Sequence, residues 1–222
     1  MNIAVGGQVD LNGTTLQNTG TISDQGTING TVNNGFGGVL KGAGNINGAL
    51  ILADGSLFSP GNSPGSMTTG SGEMRAGGTY VFEMRDATGA AGVGVDYWNI
   101  AGPLDILAGL TVGDFFTIQA DTLAAGNVPG LADNWNNSLA QSWVLAHADG
   151  SISGFAPGEF VVDSSFFMND LSGGSLFVST SPDGHDLLLN FQPVPEPSPW
   201  AGAALLLLAR ISRRRKCHPH SL

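Results

Sequence analysis

The strongest catalytic string in the chain is Gly61-Asn62-Ser63-Pro64-Gly65, which matches the G-x-S-x-G pattern of a nucleophile elbow. Its chemistry excludes that role. An elbow draws an oxyanion-hole N–H from the residue after the serine, and Pro64 has none. An elbow also sits between a strand and a helix, and no neighbouring segment reads as helix. The stretch Leu57–Ser66 is instead read as two Pro-Gly-type corners. Gly92-Val93-Gly94-Val95-Asp96 resembles one unit of a glycine-rich calcium repeat, but such sites are built from tandem copies and only one is present. Asp96 is therefore read as the start of a strand that turns Trp98 and Ile100 inward. His147 and His185 have no second His or Cys at ligand spacing, and Asp183-Gly184-His185-Asp186 reads as a hairpin turn.

Carboxylate pairs for glycoside cleavage need two acids that meet in space, which sequence cannot pair. A β-helical polysaccharide-degrading enzyme is the sharper enzymatic idea, but cleaving a uronate needs Lys or Arg, and the body offers only Lys41, Arg75 and Arg85. No catalytic residue, metal or cofactor is assigned, and the chain is read as non-enzymatic. Among the tryptophans, Trp98 and Trp143 lie in apolar runs and read as core. Trp135, in the polar stretch ADNWNNS, is the candidate for stacking on a sugar ring.

The elements that hold these residues read as β throughout. Glycine contributes 34 of 222 residues and charged residues only 12%, which starves helices of the Lys, Glu and Arg their wet faces need. Hydrophobic residues at 41% still supply a core, so the chain is not read as disordered. In the first 70 residues Asn-Gly recurs at Asn12, Asn29 and Asn47, intervals of 17 and 18. The flanking segments VDLNGTTL, GTINGTVN and GNINGALIL alternate apolar and polar positions around each pair. Isolated Asn-Gly pairs suggest hairpins, but a fixed period suggests stacked coils, with like residues above like and asparagines forming side-chain ladders. From Gly78 onward, apolar runs such as TYVFEM (79–84), DYWNIAG (96–102), LDILAGLTV (104–112), EFVVDSSFFM (159–168) and DLLLNF (186–191) predict further strands. Residues 122–141 break the rhythm and predict a loop or short helix.

Charge divides the chain. All 18 acids precede residue 197, with three bases to balance them, whereas Arg210, Arg213, Arg214, Arg215 and Lys216 crowd the end. A body this acidic repels nucleic acid. The only cysteine, Cys217, lies in the basic tail, so no internal disulfide forms.

Residues 193–222 read PVPEPSPWAGAALLLLARISRRRKCHPHSL: a proline-spaced linker, ten apolar residues from Trp200 to Ala209, then bases. This order, with Pro195-Glu196-Pro197, the apolar run and Arg213–Lys216, resembles the PEP-CTERM sorting signal of Gram-negative, exopolysaccharide-producing bacteria. The resemblance implies export and a short C-terminal hydrophobic helix that enters the inner membrane transiently. An exosortase would recognise and cleave the Pro-Glu-Pro motif, releasing the protein to the cell surface or extracellular matrix. Ten apolar residues reach about half-way across a 30 Å core, so the anchor is short for a span. Residues 20–120, with the PGNSPG corner at 60–65, are similar to the autotransporter-like β-helical region of such proteins.

Together these readings give an all-β chain, a right-handed parallel β-helix running into further β coils or a β-sandwich. The expected divisions are 1–70 for the repeats, 71–192 for a β-rich continuation or cap, and 193–222 for the sorting signal. Met1–Gln8 lacks the basic start and apolar core of a signal peptide and begins inside a coil, so an upstream extension is expected. The function expected is structural or adhesive, with exopolysaccharide as a possible partner and a glycan-binding module as the alternative.

Overall fold

A computed structural model describes residues 1–109 and 114–195. The described chain is all-β. One 3₁₀ turn at Pro157–Glu159 is its sole helical element among the described residues.

The chain shuttles between two sheets. β1 (Asn2–Ile3) lies in the first, β2 (Gln8–Asn18) in the second, β3 (Thr21–Asp24) in the first and β4 (Thr27–Asn34) in the second. The alternation continues through β5 (Val39–Gly42), β6 (Asn45–Leu52), β7 (Leu57–Pro60), β8 (Ser66–Arg75) and β9 (Thr79–Met84). β10 (Tyr97–Ile100) and β11 (Leu104–Leu107) then join the second sheet, and β12 (Phe116–Ala124) the first. The remaining strands are β13 (Val128–Pro129), β14 (Gln141–Ala148), β15 (Ile152–Ser153), β16 (Phe160–Asp163), β17 (Ser175–Thr180) and β18 (Asp186–Gln192). Pairing within β1-β3-β5-β7-β9-β12-β16 and within β2-β4-β6-β8-β10-β14 is parallel throughout. β8 carries the second sheet across residue 70 without a break.

Register places like above like, as the spacing predicts. Ile22, Leu40, Phe58, Tyr80 and Ile118 occupy successive paired positions in the first sheet, all buried. Ile28 faces Ile46 and Val32 faces Leu50 in the second. These inward positions fill the space between the sheets, where Phe58 meets Tyr80 at 5.3 Å and Trp98 at 5.1 Å between ring centroids. Burying each such side chain contributes roughly 1.5–3 kcal/mol, so the column of alternating apolar residues is the main source of cohesion. Trp98 also donates its indole N–H to the Thr69 hydroxyl at 2.9 Å, satisfying its one polar atom in the core.

The expected asparagine ladders form. Asn18 donates to the Asn34 amide oxygen at 2.7 Å, and Asn34 donates to the Leu57 carbonyl at 2.9 Å, both from buried positions. On the outside Asn47 donates to Asn29 at 2.6 Å. The Asn-Gly pairs themselves lie inside strands, where the second sheet bends, and not between strands. At β2 the register skips between Asp10 and Thr15, with Asn12 and Gly13 at positive φ. Glycine is required along this bend for a steric reason. A Cβ on Gly48 would lie 2.4 Å from the Gly30 carbonyl oxygen, one on Gly70 2.6 Å from that of Asn47, and one on Gly102 2.6 Å from that of Gly70. Above the bend β8 splits its partners, its first half pairing with β10 and its second with β11.

Two expectations are corrected. The LDILAGLTV strand stops at Leu107, because Ala108-Gly109 turns with Gly109 at φ +77°; residues 110–112 of that run lie outside the described residues. The EFVVDSSFFM strand stops at Asp163, whose carboxylate accepts the Ser165 N–H at 2.9 Å and turns the chain. Of the loop or short helix expected over 122–141, the loop is found: β12 runs to Ala124 and a loop containing β13 follows.

The two ends of the sheets differ. β17 and β18 form an antiparallel hairpin that pairs β18 against β14. At the other end, among the described residues, β1 pairs only with β3 and β2 only with β4.

Candidate functional site

Of the expected sorting motif only Pro195 lies among the described residues. β18 ends at Gln192, and Pro195 lies exposed three residues on. Glu196, Pro197, the apolar run with its expected helix, and Arg213, Arg214, Arg215 and Lys216 lie outside the described residues. Among the described residues no helix is long and apolar enough to cross a membrane.

Trp135 is half-buried rather than a free platform. Its indole stacks on Trp143 at 5.9 Å and meets Phe167 at 4.9 Å and Phe191 at 4.7 Å, while Nε1 donates to the Asp170 carbonyl at 2.9 Å. This packing pins the polar loop 131–139 to the core, and a sugar would have only the remaining exposed part of the ring. Trp98 and Trp143 are core, as their apolar strands imply.

The Asp183–Asp186 segment is the turn of the β17–β18 hairpin. His147 on β14 bonds Asp186 at 2.6 Å through Nδ1 and lies 3.4 Å from Asp149 through Nε2, and the His185 ring bonds the Ala148 carbonyl at 2.8 Å. This set ties the hairpin to β14. No cluster of three or more His, Cys, Asp or Glu with metal-holding geometry occurs among the described residues.

Sequence reasoning missed one constellation: a knot of three acids at the Ser63 corner. Asp96 is fully buried, and its carboxylate accepts the backbone N–H groups of Gly65 at 2.7 Å and Glu83 at 3.1 Å. It thereby fastens the corner to β9. Glu83 has one carboxylate oxygen buried without a hydrogen-bond partner, and Asp121 sits beside Glu83 in register on β12. Burial pushes the Asp96 carboxyl well above the usual carboxylate range and the Glu83 charge pushes it further, against the two N–H donors. Burial likewise raises Glu83, opposed by Ser63 and reinforced by Asp121, and raises Asp121, opposed by Gln119. The Ser63 corner is thus tied to this knot through the Gly65 N–H. The signal was hidden because 83, 96 and 121 share no sequence pattern; only the stacking of β9 and β12 brings them together.

Above the same corner lies a groove of about 320 Å³ lined by Ser23, Lys41, Ser59, Asn62 and Ser63. Ser23, Lys41 and Ser59 are paired positions on β3, β5 and β7, so their side chains line one face.

No protein-family model matches the chain, and no curated protein matches its sequence significantly.

Proposed function

We propose that the chain is an exported structural or adhesive protein of the cell surface or matrix, a coiled β-body carrying a PEP-CTERM-like sorting tag. The observation that carries this reading is the placement of Pro195: exposed and clear of the last strand, at the head of Pro-Glu-Pro. A protease that recognises a motif needs it held away from the fold, and prolines at 193, 195, 197 and 199 favour an extended, unpaired linker. The apolar run and the bases beyond it then supply a transient membrane stop with positive charge on the cytoplasmic side.

The body is read as a parallel β-helix. Support comes from the strict alternation of β1 to β9 between two sheets whose pairing there is parallel, the glycine-lined bend and the side-chain ladders. Right-handedness follows from the general preference of parallel crossover connections. Such a body satisfies its backbone groups coil by coil and resists proteolysis, which suits a passive load-bearing part.

The experiment is expression in a host with and without its exosortase, followed by mass spectrometry of the mature C-terminus. The reading expects a chain that ends near Pro195–Pro197 only when the exosortase is present, and Glu196→Ala to stay uncut. An identical, uncleaved C-terminus in both hosts overturns it.

A further inference from the structure

The groove beside the Ser63 corner has a composition that sets it apart from the acidic body. The preceding turn between β5 and β6 is short, whereas the corresponding segment Pro60–Gly65 is longer and arches over the sheet face. Asn62 reaches back to exchange hydrogen bonds with the Gln25 amide, donating at 3.2 Å and accepting at 2.7 Å, and this closes one rim. Beneath the arch Lys41 is exposed and flanked in register by the hydroxyls of Ser23 and Ser59. No carboxylate lines the hollow.

Lys41 is also unlike the other two bases of the body. Arg75 is engaged by Glu73, and Arg85 donates to Asn127 and the Val93 carbonyl, each at 3.0 Å. Lys41 has no carboxylate within ion-pair distance among the described residues. Asp24 packs against Gly42, the residue after Lys41, and is fully buried, and burial raises its carboxyl above the usual range.

We infer that this groove binds the carboxylate of a uronic-acid residue in an acidic polysaccharide, Lys41 meeting the charge and Ser23 and Ser59 the sugar hydroxyls. The inference rests on the matrix-facing reading above and names a ligand class for it. One ammonium among hydroxyls suits one carboxylate on a saccharide ring, and the acidic surroundings disfavour densely charged polyanions.

The test is an amide-resonance titration of the full chain with methyl α-glucuronide, methyl α-glucoside and inorganic phosphate. The expected result is that the glucuronide shifts the Gly42, Gly61 and Ser63 resonances, while the glucoside leaves them in place and phosphate binds far more weakly. Lys41→Ala should weaken glucuronide binding about tenfold, the cost of one charge-assisted contact, and Lys41→Arg should retain it. Lys41 is exposed, so an unchanged spectrum elsewhere certifies the fold of both variants. Equal binding by Lys41→Ala, equal binding of phosphate, or shifts that map elsewhere would each overturn the inference. C-terminal cleavage is scored separately, so a chain cleaved normally but indifferent to the uronate sinks the groove and leaves the sorting reading intact.

Discussion

Asp96 is held by the backbone N–H groups of Gly65 and Glu83 and crowded by two other acids, and its titration has a definite sign. Its folded-state pKa lies above the unfolded value, so the folded chain binds the proton more tightly. The stability this contributes is fully present below the unfolded value of about 4 and is lost as pH rises through the folded value. Glu83 and Asp121 act in the same direction. Urea denaturation should therefore give a higher midpoint at about pH 5 than at about pH 8, the reverse of the usual acid sensitivity of carboxylates. Asp86, Asp163, Asp170 and Asp183, lowered mainly by hydrogen bonds, oppose this trend only on further acidification, below their own unfolded values. Asp96→Asn presents an amide N–H₂ to one of the two backbone donors, at a cost of about 1–3 kcal/mol near pH 5. Its pH slope should be flatter than that of the parent chain. Asn34→Ala removes the side-chain donor to the Leu57 carbonyl and one of the two acceptors of the Asn18 amide, leaving it the Val39 carbonyl, and should cost about 1–3 kcal/mol at any pH in that range.

Among the elements, the bend of the second sheet makes the sharpest prediction. Gly70→Val forces a side chain against the Asn47 and Gly48 carbonyls and should destabilise by about 3 kcal/mol or abolish folding, read by thermal melting. Gly20→Ala, with nothing within 4 Å of the new Cβ, should change stability by less than about 0.5 kcal/mol. This bend marks where sequence reading stopped. The alternation in TYVFEM located β9 residue for residue, and the Asn-Gly interval of 18 between Asn29 and Asn47 matches the pairing of Ile28 with Ile46. Asn-Gly is locally a turn signal, however, and the sequence holds no mark that parallel pairing on both sides would keep the backbone extended through it. The acid knot was unreadable for a related reason: Asp96 resembled any strand opener until Gly65, 31 positions earlier, was placed against it. Trp135 is the opposite case, since a polar neighbourhood in sequence accompanies an aromatic one in space.

For the whole molecule, protection should be graded along the stack. Native-state hydrogen exchange should be slowest in β8, β9 and β10, which pair on both sides, and fastest in β1 and β2, which pair on one. Uniform protection across all strands would contradict this. The pairing pattern also bears on length. β4 and β5 pair only with the strands immediately before and after them in their own sheets, and Ile28 recurs as Ile46 eighteen positions later. Duplicating residues 27–44 should therefore yield a chain that still folds, longer by one strand spacing of about 4.8 Å. A protein assembled this way works as a ruler with interchangeable graduations: copying or deleting one interval resets its reach while both ends keep their chemistry.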